Sequence, residues 1–102
     1  SKGAIVSLTK TAAQQLGKYN INVNAICPAS TFTDIVEKLI KTRASEQKKS
    51  KEEIIKHYMR DVPLGRFNDP EDIAELALFL SSDSSKNISG QSFNVDGGLI
   101  PS

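Results

Sequence analysis

The sequence is poor in the features that would place it in several functional classes. Its single cysteine, Cys27, leaves no partner for an intrachain disulfide. No apolar run approaches the roughly 20 residues needed to cross a bilayer, and neither end carries a leader-like or lipidation pattern. No membrane partner is therefore expected, and a reducing, cytoplasmic setting fits best. Lys and Arg number 13 against 12 for Asp and Glu, a net charge of +1, which gives no basic surplus to track a phosphate backbone. Nucleic acid is not an expected partner. No Gly-x-Gly pair occurs, so a dinucleotide-binding fingerprint is excluded. The lone histidine, His57, has neither a second histidine nor a cysteine near it, and no metal is expected.

With 102 residues, one small hydrophobic core is the most the chain can build. No repeat or linker divides it, so residues 1–102 read as one unit. Ile5, Leu8, Ala12 and Leu16 recur at helical spacing, predicting an amphipathic helix over 1–18 that stops at Gly17. That pattern is already under way at Ala4 and Ile5 with no capping residue ahead of it, so the helix is expected to start upstream of Ser1. Ile21 to Ile26 alternates apolar and polar residues before Pro28, predicting a short strand with Asn22 and Asn24 on one face. Ile35, Val36, Leu39 and Ile40 then form a helical stripe, followed by a polar stretch from Thr42 to Lys49. Ser50 and Glu53 form a capping-box signature ahead of Ile54, Ile55, Tyr58 and Met59. This charge-rich helical pair reads either as a mobile cover or as a plain solvated hairpin.

Asp69, Pro70, Glu71 and Asp72 make a strong helix start, with acids at the positive end of the helix dipole. Ile73, Ala74, Leu76, Ala77, Phe79 and Leu80 surround most of that helix, predicting that it is well buried. Gln91 to Val95 reads as a second strand closed by Asp96, Gly97 and Gly98. Strand, helices, strand implies a parallel crossover.

Four stretches, in this order, resemble the carboxy-terminal half of the short-chain dehydrogenase/reductase family: Ser1-Lys-Gly-Ala4 with Leu8-Thr-Lys10; Val23 to Pro28 continuing to Thr33; Pro63-Leu-Gly-Arg66 with Pro70 to Ile73; and Ile88 to Gln91 with Val95 to Gly98. Any one alone recurs in unrelated loops; together they cover most of the chain. The resemblance implies an α/β fold, the carboxy-terminal part of a doubly wound parallel sheet, with two parallel strands, flanking helices and a helical lid over about 33–62. It also implies hydride transfer between a nicotinamide and an alcohol or carbonyl carbon of a small-molecule substrate, with NAD or NADP as cofactor.

Lys2 falls where the lysine of the family's Tyr-x-x-x-Lys pair belongs, and the tyrosine position lies four residues earlier, ahead of Ser1. An ammonium one helical turn from a phenol stabilises the phenolate, as a general acid/base requires. By the resemblance Lys2 also donates to the cofactor's ribose hydroxyls. Taken alone, a lysine at this place reads as a solvated charge. Neither Tyr19 nor Tyr58 has a lysine four residues on; Val23 and Val62 stand there instead. Pro28, Ala29, Ser30 and Thr33 correspond to the family's Pro-Gly-x-x-x-Thr loop at the nicotinamide end, with Ala29 in place of the glycine. Thr33 would offer its hydroxyl to the carboxamide, or it caps the following helix. Cys27 reads as a small hydrophobe rather than a nucleophile.

Several expectations follow from the resemblance. The phosphate loop, adenosine pocket and NAD/NADP discrimination belong to the family's other half, so the isolated chain is expected to be inactive. A homodimer or homotetramer is expected, and the alternative function is a non-catalytic oligomerisation module. The length of the helical insertion resembles hydroxy-acid, acetoin or polyol dehydrogenases more than acyl-carrier reductases.

Overall fold

In the computed structural model, residues 2–99 are described. The first helix, α1, runs Lys2–Leu16 and passes into a 3-10 turn over Gly17–Tyr19. The α-helix stops at Gly17 as expected from the sequence, but the left-handed cap falls three residues later. Asn20 takes the left-handed conformation at φ 61°, and its N–H donates to the Gly17 carbonyl at 2.9 Å, a role asparagine shares with glycine.

Two four-residue strands follow the expected topology, β1 at Ala25–Pro28 and β2 at Ser92–Val95. They pair in parallel with Ala25 opposite Ser92 and Pro28 opposite Val95. β1 begins four residues later than the alternation suggested. Asn22 and Asn24 do share a face, but their side chains are already committed. Asn22 Nδ2 donates to the Lys86 and Ile88 carbonyls at 2.8 and 2.9 Å. Asn24 Nδ2 donates to Ile88 O at 3.0 Å, and its Oδ1 accepts from Gln91 N at 3.1 Å. Side-chain amides and one backbone bond, Gly90 N to Val23 O at 2.7 Å, lace this stretch together, and regular strand pairing begins at Ala25.

The crossover contains α2 (Asp34–Gln47), α3 (Lys51–Tyr58) and α4 (Pro70–Leu80). α2 runs through most of the stretch read as merely polar, because residues 42–47 contain no helix breaker; Lys48 ends it at φ 53°. The capping box of α3 forms as expected, with Ser50 Oγ accepting from Glu53 N at 3.2 Å. At α4, Asp69 N donates to Asp72 Oδ2 at 2.8 Å, so a carboxylate in the first turn satisfies a backbone donor at the helix end.

α2 and α3 pack on each other, whereas α1 and α4 pack on β1. The buried apolar side chains, Ile40, Ile54 and Met59, all belong to residues 33–62. Those residues form an arm with its own small core. The molecule measures 58 × 25 × 21 Å with a radius of gyration of 17.2 Å, against about 13 Å for a compact domain of this length. The expectation of a well-buried α4 is overturned: none of its residues is buried, and Leu78 and Phe79 are 67% and 42% exposed. A nearly all-apolar circumference needs cover on several sides, and within this chain α4 is covered where it meets β1 and the 3-10 turn at Asp83–Ser85.

The turn after β2 is held closely. Gly97 has φ +63°, and a Cβ placed there would stand 2.7 Å from Val62 Cγ1. The Gly97 carbonyl accepts from Leu64 N at 3.0 Å. Alanine at this position combines a disfavoured φ with a side-chain clash. Gly97→Ala is expected to lower stability by about 2 kcal/mol, read as a reduced midpoint in urea denaturation with an unchanged slope.

Candidate functional site

The carboxyl ends of β1 and β2 lie side by side, and the first turn of α1 sits beside them. Lys2, Ile5, Ile26, Cys27, Pro28, Ala29, Asn94 and Asp96 line an open cleft there of about 410 Å³. Crevices beyond the carboxyl ends of parallel strands are where open α/β sheets bind ligands. Ile5, Ile26 and Pro28 supply apolar surface to the cleft. Lys2 places an ammonium at its edge and donates to Asn94 Oδ1 at 2.5 Å. An ammonium has three donors, so this bond leaves capacity for a further acceptor.

Three of the five residues singled out from the sequence therefore meet: Lys2, Pro28 and Ala29. Ser30 and Thr33 lie outside the cleft's lining. Ser30 turns its carbonyl to Asn68 N at 2.9 Å. Thr33 takes the capping role, its Oγ1 accepting from Val36 N at 3.4 Å; its hydroxyl proton stays available to another acceptor.

The loop from Pro28 to Thr33 is fixed at several points. Ala29 N donates to Val95 O at 3.0 Å, and Thr31 Oγ1 donates to Ala29 O at 3.1 Å. Thr31 forms an isolated parallel bridge with Asn68, and Phe32 packs edge-on against Phe67 with ring centroids 5.5 Å apart. The two roots of the arm, 31–32 and 67–68, are thereby joined. Asp96 Oδ1 accepts from Gly98 N at 3.0 Å, which shapes the turn at the cleft's rim.

Sequence reasoning missed Asn94, Asp96 and Asn68. Asn94 and Asp96 had one faint signal: two polar residues at alternate positions, which a strand presents on one face. Cys27 is a half-buried thiol in the cleft wall. His57 Nε2 stands 3.0 Å from Arg60 Nη1 out on the arm. Among the described residues, no group of three His, Cys, Asp or Glu is placed to hold a metal, and no helix is long and apolar enough to cross a membrane.

Comparison with known proteins identifies the family. A family profile described as Enoyl-(Acyl carrier protein) reductase matches residues 1–100. The 3-oxoacyl-(acyl-carrier-protein) reductase FabG of Thermotoga maritima is 39% identical over 100 residues, covering 98% of this chain and 36% of that protein. The chain belongs to the short-chain dehydrogenase/reductase family. A short chain dehydrogenase family protein from Francisella tularensis superposes with a TM-score of 0.80 at 42% identity, covering 96% of this chain and 40% of that one. L-Sorbose reductase from Gluconobacter frateurii, solved with NADPH and L-sorbose, gives a TM-score of 0.86 at 28% identity, covering 99% and 39%. The chain thus spans between 36% and 40% of the length of these relatives. The two-stranded parallel sheet is part of the family's Rossmann-type fold.

Lys2 is exposed and bonds to Asn94 at the cleft's edge. Lys2→Met is expected to shift the stability of the chain by less than about 0.5 kcal/mol, the ordinary size for a surface substitution, as measured by thermal denaturation. A larger loss would assign Lys2 to the scaffold instead of the chemistry.

Proposed function

We propose that this chain contributes the nicotinamide end of the active site in a short-chain dehydrogenase/reductase that interconverts a small alcohol and its carbonyl compound. The observation that carries the reading is the meeting of Lys2 with Pro28 and Ala29 in one cleft at the strand ends. The lining suits a nicotinamide nucleoside: apolar wall from Ile5, Ile26 and Pro28 for a flat ring, and an ammonium for hydroxyl oxygens. NAD or NADP, when bound, supplies or accepts the hydride. Pro28 and Ala29 bound the ring, Ser30 and Thr33 extend the border, and Thr33 offers its hydroxyl proton to a carboxamide. Lys2 donates to the ribose and holds positive charge near the proton-transferring phenol, one turn earlier on the same helix face. Residues 33–62 form the cover on the substrate side.

In this reading residues 1–102 form a single partial domain, and the phosphate and adenosine sites lie in the other part of the fold. The isolated chain is then expected to show no saturable binding of NADH or NADPH in a fluorescence titration to millimolar concentration, and no turnover of small alcohols or ketones. Tight binding by the isolated chain would overturn this division of labour. In the complete enzyme, Lys2→Met is expected to lower kcat/KM by about 100-fold or more, the usual scale for losing an acid/base partner.

A second reading is favoured by the exposed apolar surface. Leu8, Leu78 and Phe79 are 70%, 67% and 42% exposed on α1 and α4. Such residues drive association of copies of the chain, and with no nicotinamide chemistry it would be a non-catalytic oligomerisation module. Light scattering would then report a stable dimer or tetramer of a chain that never binds cofactor. A homo-oligomer that does bind cofactor in the complete enzyme supports the first reading.

A further inference from the structure

We propose that Asn68 is a positioning residue that registers the Pro28–Thr33 loop and the root of the arm, together, on the end of β2. The inference deepens the functional reading above, because its meaning for catalysis rests on that loop bordering the nicotinamide.

Asn68 is 8% exposed, one of the few buried polar residues. Both its backbone groups serve the loop: its N–H donates to Ser30 O at 2.9 Å, and its carbonyl accepts from Phe32 N at 2.7 Å. Its side chain serves the sheet, with Nδ2 donating to Val95 O at 2.5 Å. Val95 O is the same carbonyl that accepts from Ala29 N at 3.0 Å. A carbonyl has two lone pairs, so the last acceptor of β2 takes the loop's first donor and the arm's returning root at once.

The division between backbone and side chain matters. The backbone bonds of Asn68, the Thr31 bridge and the Phe32–Phe67 contact join the two roots of the arm to each other. They do not join the arm to the sheet. The arm carries its own core at Ile40, Ile54 and Met59, so its internal packing places no restraint on its angle to the strands. The returning chain is tied to β2 and its following turn by the Asn68 side chain on Val95, by Leu64 N on Gly97 O, and by the packing of Val62 and Pro63 against Gly97 and Gly98. Of these, only the Asn68 tie lies at the loop.

The test uses the full 102-residue chain without cofactor, carrying Asn68→Asp or Asn68→Ala. The aspartate sets a carboxylate oxygen against the Val95 carbonyl; the alanine removes the donor without adding charge and serves if the aspartate variant fails to fold. Amide hydrogen exchange is followed by NMR. Spin labels at Gln14→Cys on α1 and Ser45→Cys on α2, in a Cys27→Ser background, report the angle of the arm. The expected result is exchange about tenfold faster at Ala29, Phe32 and Asn68, as for one lost buried hydrogen bond, and a broadened distance distribution. Exchange in the β1–β2 ladder and around Ile40 and Ile54 stays as in the parent chain. Unchanged exchange and distances in the variants overturn the proposal, and so does a uniform rise across ladder and arm, which would make Asn68 a general stabiliser. Because no cofactor is present, failure here counts against Asn68, whereas failure of the Lys2 kinetics counts against the functional reading.

Discussion

The parallel pairing of Ala25–Pro28 with Ser92–Val95 is the constraint from which the rest of the structure follows. Parallel strands cannot be joined by a tight turn. The chain must leave one end of the sheet and return to the other, and here the excursion holds the arm and α4. The same geometry brings the carboxyl ends of both strands together. Whatever follows Pro28 must therefore neighbour whatever follows Val95, and a cleft forms between segments far apart in the sequence. α1 completes it by laying its first turn beside those ends, with Lys2 bonded to Asn94.

Local rules were legible in the sequence because their partners lie within one helical turn. Ser50 with Glu53, and Asp69 and Pro70 ahead of α4, announce helix starts through bonds spanning three residues. The parallel crossover and three members of the cleft were also legible, the latter through family resemblance and not through periodicity. What escaped notice depends on distant partners. Lys2 and Asn94 are 92 positions apart, and Asn68 reaches Val95 across 27. The late start of β1 has the same origin: Ile21 to Asn24 alternates as a strand would, but carbonyls near Ile88 claim the asparagine side chains.

Burial shows where hydrophobic pattern stops being informative. The all-round apolar character of α4 states that this helix is to be covered. It does not state that the cover lies in the same chain, and Leu78 and Phe79 remain exposed. The chain spans between 36% and 40% of the length of the relatives it matches. Its sheet region is half-buried at best, whereas the arm, whose two helices face each other, encloses the three buried apolar side chains found among the described residues.

That contrast bears on how such a protein can change. An arm with a private core, attached through two short roots, behaves as an exchangeable cassette. Substitutions among residues 33–62 that keep Ile40, Ile54 and Met59 buried can reshape the outer surface of the arm while the strand ends and Lys2 keep their places. Where the arm covers substrate as proposed, divergence of substrate preference can proceed without renegotiating the fold, and grafting a foreign arm between Phe32 and Phe67 becomes a practical route to new specificity.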